Sequence, residues 1–283
     1  YKTLIYFSLL FAIILITFPI AASMELDTNL LDQQVWEKLW FYLGSKTHLS
    51  TDLQMIVSLV ASLFYSEISE HVGHGVLLNF FTGKYHQPKQ EKRIFMFLDM
   101  KSSTTIAERL GHIRYIDLLR WYYRDLSDPI INCEGEVYQY VGDEVVVSWK
   151  YDKGIVDNNC LKCFFAMKEA LQRQAEKYRQ RFGLAPTFKA GIHCGEVTTG
   201  EVGALKKEIV FTGDVLNATA RIQSLCNQFE VDLLVSADLI QLLDMNEVNA
   251  FRSIGNIELR GKVETLELYT IDGMMKDVGY VAD

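Results

Sequence analysis

Residues 93–104, Arg93-Ile94-Phe95-Met96-Phe97-Leu98-Asp99-Met100-Lys101-Ser102-Ser103-Thr104, decide the fold. Residues 93–98 read as a short apolar strand ending at Asp99. The polar residues 101–104 lead into a helix opened by Thr105, with Glu108 three residues on as a capping box. A carboxylate at a strand tip beside a helix start suits a metal-bound phosphate. Free backbone N–H groups and the positive end of the helix dipole both face the anion there.

Downstream, strands and helices alternate. Residues 115–126 continue as helix, and 136–140 and 145–149 are strands around the turn Val141-Gly142-Asp143-Glu144. One long helix is expected over about 155–181, where Val156, Cys160, Cys163, Phe164, Met167, Leu171 and Tyr178 recur mostly every three or four residues. Residues 187–193 and 196–202 read as a hairpin turning at Gly195. Residues 214–226 read as a helix capped by Asp214, and 232–235, 251–259 and 266–271 as strands. This mixture is an α+β sandwich, long enough for one good core.

Upstream, residues 4–22 carry no charge, enough chain to cross a hydrocarbon core at about 1.5 Å per residue. A cleaved signal segment is the rival, because Ala21, Ala22 and Ser23 are small. A second apolar run, 53–65, is short for a span unless tilted. Glu25, Asp27, Asp32, Glu37 and Asp52 lie between the runs against Lys38 and Lys46, while Lys84, Lys89, Lys92 and Arg93 follow the second. Positive charge marks the cytoplasmic side. Both ends are therefore expected in the cytoplasm, with about 23–52 outside. The expected division is a membrane region 1–66 (spans 4–22 and 53–66), a linker helix 67–90, a folded domain 91–272 and a tail 273–283. The first residue is Tyr1, which reads as a piece of a longer chain with room for an upstream sensor region or membrane partner.

Composition narrows the classes. With 283 residues, 49 % apolar and 23 % charged, the chain is neither disordered nor collagen-like and has length for about two domains. A net charge of −8 argues against nucleic acid as a partner. Five Cys, an odd number, do not make a disulfide framework. Cys160 and Cys163 form a CxxC in mid-helix, which reads as core packing.

If the strands around Asp143 lie beside residues 93–98, Asp99 and Asp143 converge as hard oxygen ligands for Mg²⁺. Two such ions serve an in-line phosphoryl displacement; a plain turn Asp is the alternative. Asn217 and Arg221, four apart, project from one helix face. They suit a ribose and an α-phosphate, or simply a solvated face.

Four blocks now combine: residues 97–104, then Tyr140-Val141-Gly142-Asp143-Glu144, then Ala190-Gly191-Ile192-His193-Cys194-Gly195-Glu196-Val197, then Thr212-Gly213-Asp214-Val215-Leu216-Asn217-Ala218-Thr219-Ala220-Arg221. Together, and in this order across about 91–272, they resemble the class III nucleotidyl cyclases. The bacterial, membrane-anchored branch is most similar, given the apolar runs and the approach Gly83-Lys84-Tyr85-His86-Gln87-Pro88. The resemblance implies a ferredoxin-like catalytic domain, a sheet covered by helices on one side, preceded by transmembrane helices. It implies a homodimer with active sites between subunits. Asp99, Asp143 and the Met100 carbonyl would bind two Mg²⁺ or Mn²⁺ ions per site from one subunit. Asn217 and Arg221 of the other would position the ribose and stabilise the transition state. Lys101, Ser102, Ser103 and Thr104 would cradle the β- and γ-phosphates, helped by Arg260 or Lys262. The implied enzyme is an adenylate cyclase converting ATP to 3′,5′-cyclic AMP and pyrophosphate, in the cell inner (cytoplasmic) membrane with its catalytic domain in the cytoplasm and the lipid bilayer as a partner.

Base choice departs from the family's patterns. Adenylate-making members often carry Lys and Asp where this chain has Gln139 and Val210, and the guanylate-making pattern fits neither. Gln139 can donate to and accept from a purine edge, and Thr212 offers a hydroxyl. ATP is favoured; a guanylate cyclase, or a silent cyclase-like module that senses nucleotide or dimerises, stays open. A diguanylate cyclase does not fit, since no Gly-Gly-Asp-Glu-Phe run is present.

Overall fold

The computed structural model describes residues 2–72, 87–205, 207–244, 251–258 and 265–271. Two compact units divide the chain, Tyr1–Lys84 and Tyr85–Asp283.

The first unit contains α1 (Lys2–Leu26), α2 (Gln33–Leu43) and α3 (Lys46–Val72). Two helical stretches, Ser8–Leu26 and Lys46–Ile68, are long and apolar enough to cross a membrane. The second is longer than the apolar run alone, because polar residues on both sides continue the helix. The segment between the runs is more than a loop. Asp32 caps α2 by accepting from the Gln34 N–H at 2.9 Å, and Val35 and Leu39 are buried. Lys38 pairs with Glu25 of α1 at 2.7 Å, and Tyr42 stacks on Phe18 at 4.5 Å. Most of the expected linker, including His74 and residues 83–86, lies outside the described residues.

The second unit is built on an eight-stranded sheet. Its elements are β1 (Lys89–Met100), α4 (Ser103–Leu110), α5 (His112–Asn132), β2 (Glu136–Val141), β3 (Glu144–Lys150), α6 (Tyr151–Ile155), α7 (Asn159–Arg173), α8 (Ala175–Phe182), β4 (Phe188–Val202), β5 (Glu208–Thr212), α9 (Asp214–Leu225), β6 (Leu233–Ser236), α10 (Ala237–Ile240), β7 (Phe251–Glu258) and β8 (Thr265–Ile271). The strand order is β2-β3-β1-β4-β6-β8-β7, with β5 also on β4. Among the described residues only β4 and β6 run parallel; the other pairs are antiparallel.

β1 is apolar on both faces because both are covered. Ile94, Met96, Leu98 and Met100 meet Leu118 and Tyr122 of α5 and Phe164 of α7 in the main core. The alternate residues Phe95 and Phe97 meet Val215 of α9 in a second cluster. Period-two alternation sends neighbours to opposite faces, and each fully buried aliphatic or aromatic side chain contributes about 1.5–3 kcal/mol. α9 thus covers the face opposite α5 and α7, so helices lie on both sides of the sheet rather than one.

Local readings change in four places. β4 runs unbroken from Phe188 to Val202, with no turn at Gly195. The helix expected over 155–181 is split into α6, α7 and α8, with a short turn, Val156–Asn158, after α6. α4 starts at Ser103 after a left-handed Ser102 that makes no side-chain cap, so the Thr105 capping box does not form. Gly213, not Asp214, precedes the first residue of α9.

Arg93 also changes role. It is buried, donates to Glu91 at 2.8 Å and to Glu136 and Ser148 at 3.0 Å, and lies over the Phe211 ring. It staples strands together and is not a free charge beside a membrane.

α9 touches the sheet at backbone level. A Cβ added at Gly191 would stand 2.4 Å from the Gln223 backbone nitrogen. Gly191→Ala should therefore cost about 2–3 kcal/mol, a typical overpacking penalty, read from the urea midpoint. An unchanged midpoint would mean that α9 is not seated on β4.

Candidate active site

The end of β1 and the β2–β3 turn bring the carboxylates of Asp99 and Asp143 together. They lie in side-chain hydrogen-bond reach of each other, and the Ser103 hydroxyl reaches Asp143 as well. Burial pushes the Asp143 carboxyl above its ordinary range, the neighbouring Asp99 adds to that, and Ser103 opposes it. Glu144 is raised too, by burial first and then by the charges of Asp99 and Asp143. The Oδ2 atom of Asp143 is buried without a hydrogen-bond partner. Crowded carboxylates with an unsatisfied oxygen fit a divalent cation, which would take the place of the missing partner. Among the described residues no three or more His, Cys, Asp or Glu side chains are arranged to hold an ion. A cation here would complete its shell from a backbone carbonyl, phosphate oxygens and water, as Mg²⁺ usually does. The Met100 side chain is buried in the core, which leaves its carbonyl as the group it can offer.

A tyrosine cluster holds this corner. The Tyr123 hydroxyl donates to the Gly142 carbonyl, and its ring lies 4.3 Å from that of Tyr140. Burial, with the Asp143 charge behind it, pushes the Tyr123 phenol up to about 12. Tyr123 of α5 therefore braces the turn that carries Asp143.

Two residues outside the sequence-derived set belong here. Glu144 is one. Lys189 of β4 is the other: the β1–β4 register sets it opposite Asp99, its Nζ is 3.3 Å from the Asp99 carboxylate, and it donates to Asn227 at 3.1 Å. Its only signal in sequence was a charge inside the apolar run Phe188-Lys189-Ala190-Gly191-Ile192. Lys189 and Lys101 line one cavity of about 480 Å³, with Ser102, Asn227 and Glu230.

Asn217 and Arg221 lie on α9, across the sheet from α5 and α7. Among the described residues no hydrogen bond or ion pair joins either of them to Asp99 or Asp143. Gln139 is exposed on β2. Its neighbour Tyr138 packs on Phe211 of β5 at 4.8 Å, beside Val210 and Thr212, and the Tyr138 hydroxyl accepts from the Phe211 N–H at 3.4 Å. Arg260 and Lys262 lie outside the described residues. Cys160 and Cys163 are buried in α7, as core residues, and His193 is buried against Ser236, ring nitrogen to hydroxyl 2.7 Å.

Ser102 has φ +57°. A left-handed backbone costs a non-glycine residue about 1–2 kcal/mol, while glycine loosens the unfolded chain by about 0.5–1 kcal/mol. Ser102→Gly should therefore stabilise the chain by about 0.5–1 kcal/mol, seen as a higher Tm. A lower Tm would assign the hydroxyl a structural bond.

The family model of the adenylate and guanylate cyclase catalytic domain matches residues 85–273. Adenylate cyclase 2 of Rhizobium meliloti (strain 1021) is 32 % identical over 209 residues, 74 % of this chain; the chain spans 58 % of its length. Among solved structures, a bacterial light-regulated adenylyl cyclase superposes with a TM-score of 0.66 at 21 % identity, covering 81 % of this chain and 67 % of that one. The guanylyl cyclase Cya2 superposes with a TM-score of 0.58 at 19 % identity, covering 68 % and 96 %. At these identities the structural likeness concerns the fold alone.

Proposed function

This chain belongs to the adenylate and guanylate cyclase catalytic-domain family, and we propose that it is a membrane-anchored adenylate cyclase. It converts ATP to 3′,5′-cyclic AMP and pyrophosphate at sites shared by two copies of the chain. The observation that carries this is the convergence of Asp99 and Asp143 beside a Ser/Thr loop, with one carboxylate oxygen left unsatisfied; among the described residues neither Asn217 nor Arg221 bonds to them within one chain, which supports a site shared between two. A homodimer completes both sites, which closed two-fold symmetry allows.

Asp99, Asp143 and the Met100 carbonyl would hold two Mg²⁺ or Mn²⁺ ions, which when bound lower the pKa of the ribose 3′-hydroxyl and balance the triphosphate charge. The 3′-hydroxyl gives its proton to water, its oxygen bonds to the α-phosphorus, and the bond to the bridging oxygen breaks with its electron pair leaving on pyrophosphate. Arg221 stabilises the charge building on the α-phosphoryl oxygens, and Asn217 orients the ribose. Residues 101–104 and the N-terminus of α4 take the β- and γ-phosphates, with Lys189 as a further cation and Arg260 or Lys262 assisting. Gln139, Val210 and Thr212 face the base.

ATP rather than GTP is supported by the name of the Rhizobium meliloti relative. α1 and α3 anchor the chain in the inner (cytoplasmic) membrane, supported by their length and apolar composition. A linker over about 67–90 carries their geometry to a catalytic domain over about 91–272 in the cytoplasm.

Purified chain with Mg²⁺ or Mn²⁺ should release cyclic AMP and pyrophosphate from ATP. Product from GTP alone would overturn the base assignment, and nucleotide binding without product would favour a silent module. Asp99→Ala and Asp143→Ala should each abolish turnover while the fold survives. Mixing Asp99→Ala with Arg221→Ala chains should restore about a quarter of wild-type activity, since half the dimers are mixed and each has one intact site. A dead mixture of well-folded heterodimers would sink the shared site.

A further inference from the structure

Asp232, just before β6, sits between two lysines. Its Oδ1 accepts from Lys101 in a short contact, and its Oδ2 accepts from Lys168 of α7 at 2.6 Å. Its backbone carbonyl accepts from the Ala190 N–H at 2.8 Å, which fixes the residue beside β4. Lys101 lines the cavity next to Asp99, whereas Asp232 does not. Three ammonium groups (Lys101, Lys168, Lys189) here pair with two carboxylates, Asp99 and Asp232.

Both lysines that line the cavity are already paired with a carboxylate, Lys101 with Asp232 and Lys189 with Asp99, so an entering polyanion must take a lysine from a protein carboxylate. Lys189 is nearly buried and is held by Asp99 and Asn227. Lys101 is 40 % exposed, and its partner keeps a second cation when it leaves. Releasing Lys101 therefore strands no unpaired carboxylate, the outcome that makes breaking a buried pair costly. A partly exposed pair is also weak enough to exchange.

We propose that Asp232 is a positioning residue that parks Lys101, and that Lys101 exchanges this carboxylate for the pyrophosphate group while Asp232 retains Lys168. The inference rests on the cyclase reading for where the phosphates lie. Asp232 then competes with pyrophosphate for Lys101, weakening product binding and favouring release.

The test is calorimetric titration of the full chain in detergent with inorganic pyrophosphate and Mg²⁺, beside an assay for cyclic nucleotide. Lys101→Gln should weaken pyrophosphate binding about fivefold, and Asp232→Asn should tighten it by a similar factor. In the Lys101→Gln background, Asp232→Asn should change binding less than about twofold, the non-additivity expected of coupled residues. Lys168→Met, on an exposed helix position, leaves Asp232 with Lys101 alone and should weaken binding about threefold. It carries the test if Asp232→Asn does not fold. Unchanged binding in Lys101→Gln, full tightening by Asp232→Asn without Lys101, or tighter or unchanged binding in Lys168→Met would each overturn the exchange. If the wild type still makes cyclic nucleotide in those cases, the cyclase reading stands alone. A wild type that neither binds pyrophosphate nor makes cyclic nucleotide sinks both.

Discussion

The cross-strand pair of Asp99 and Lys189 is the constraint on which the site depends. β1 and β4 pair without interruption from Lys89 to Met100, and that register alone puts an ammonium opposite the strand-end carboxylate. A slip of one residue would turn every side chain of β1 to the wrong face. Phe95 and Phe97 would then leave the pocket under α9, and Met96 and Leu98 the core under α5 and α7. The apolar residues on the two faces hold the register, and the register holds the charge pair.

The site is built against local electrostatic preference. Asp143 and Glu144 are both raised by burial and by their acidic neighbours, so this corner disfavours its own ionised state. The surroundings restrain it nonetheless. Tyr123 ties down Gly142, and Arg93 links β1 to β2 and β3 through Glu136 and Ser148. Poorly matched charges inside a stiff frame are what a cation-dependent site requires.

Much of this was legible in the sequence where the signal was local. The apolar run ending at Asp99, the Gly142-Asp143 turn and the Asn217/Arg221 spacing are each contained within a few consecutive residues. Gly195 misled because its reason is not local: a Cβ there would come 3.1 Å from Val215, so the glycine lets α9 approach and does not turn the strand. The break at Gln174 escaped because α7 and α8 keep nearly the same apolar phase across one residue. Lys189 and Glu144 escaped because their partners come from other strands or from the fold of the turn. The stapling role of Arg93 escaped because two of its acceptors, Glu136 and Ser148, stand more than forty positions away.

The close approach at Gly191 has a mechanical consequence. Where a helix meets its sheet backbone to backbone, as at Gly191, it has no room at that point to slide or swing. α9 and β4 therefore move as one solid piece, and with them the distance from Arg221 to Asp99 within a chain is set at folding. In the shared-site arrangement, the catalytic alignment has one soft coordinate, the rotation of one copy against the other. In that proposed arrangement, a signal that tunes turnover would act on that angle.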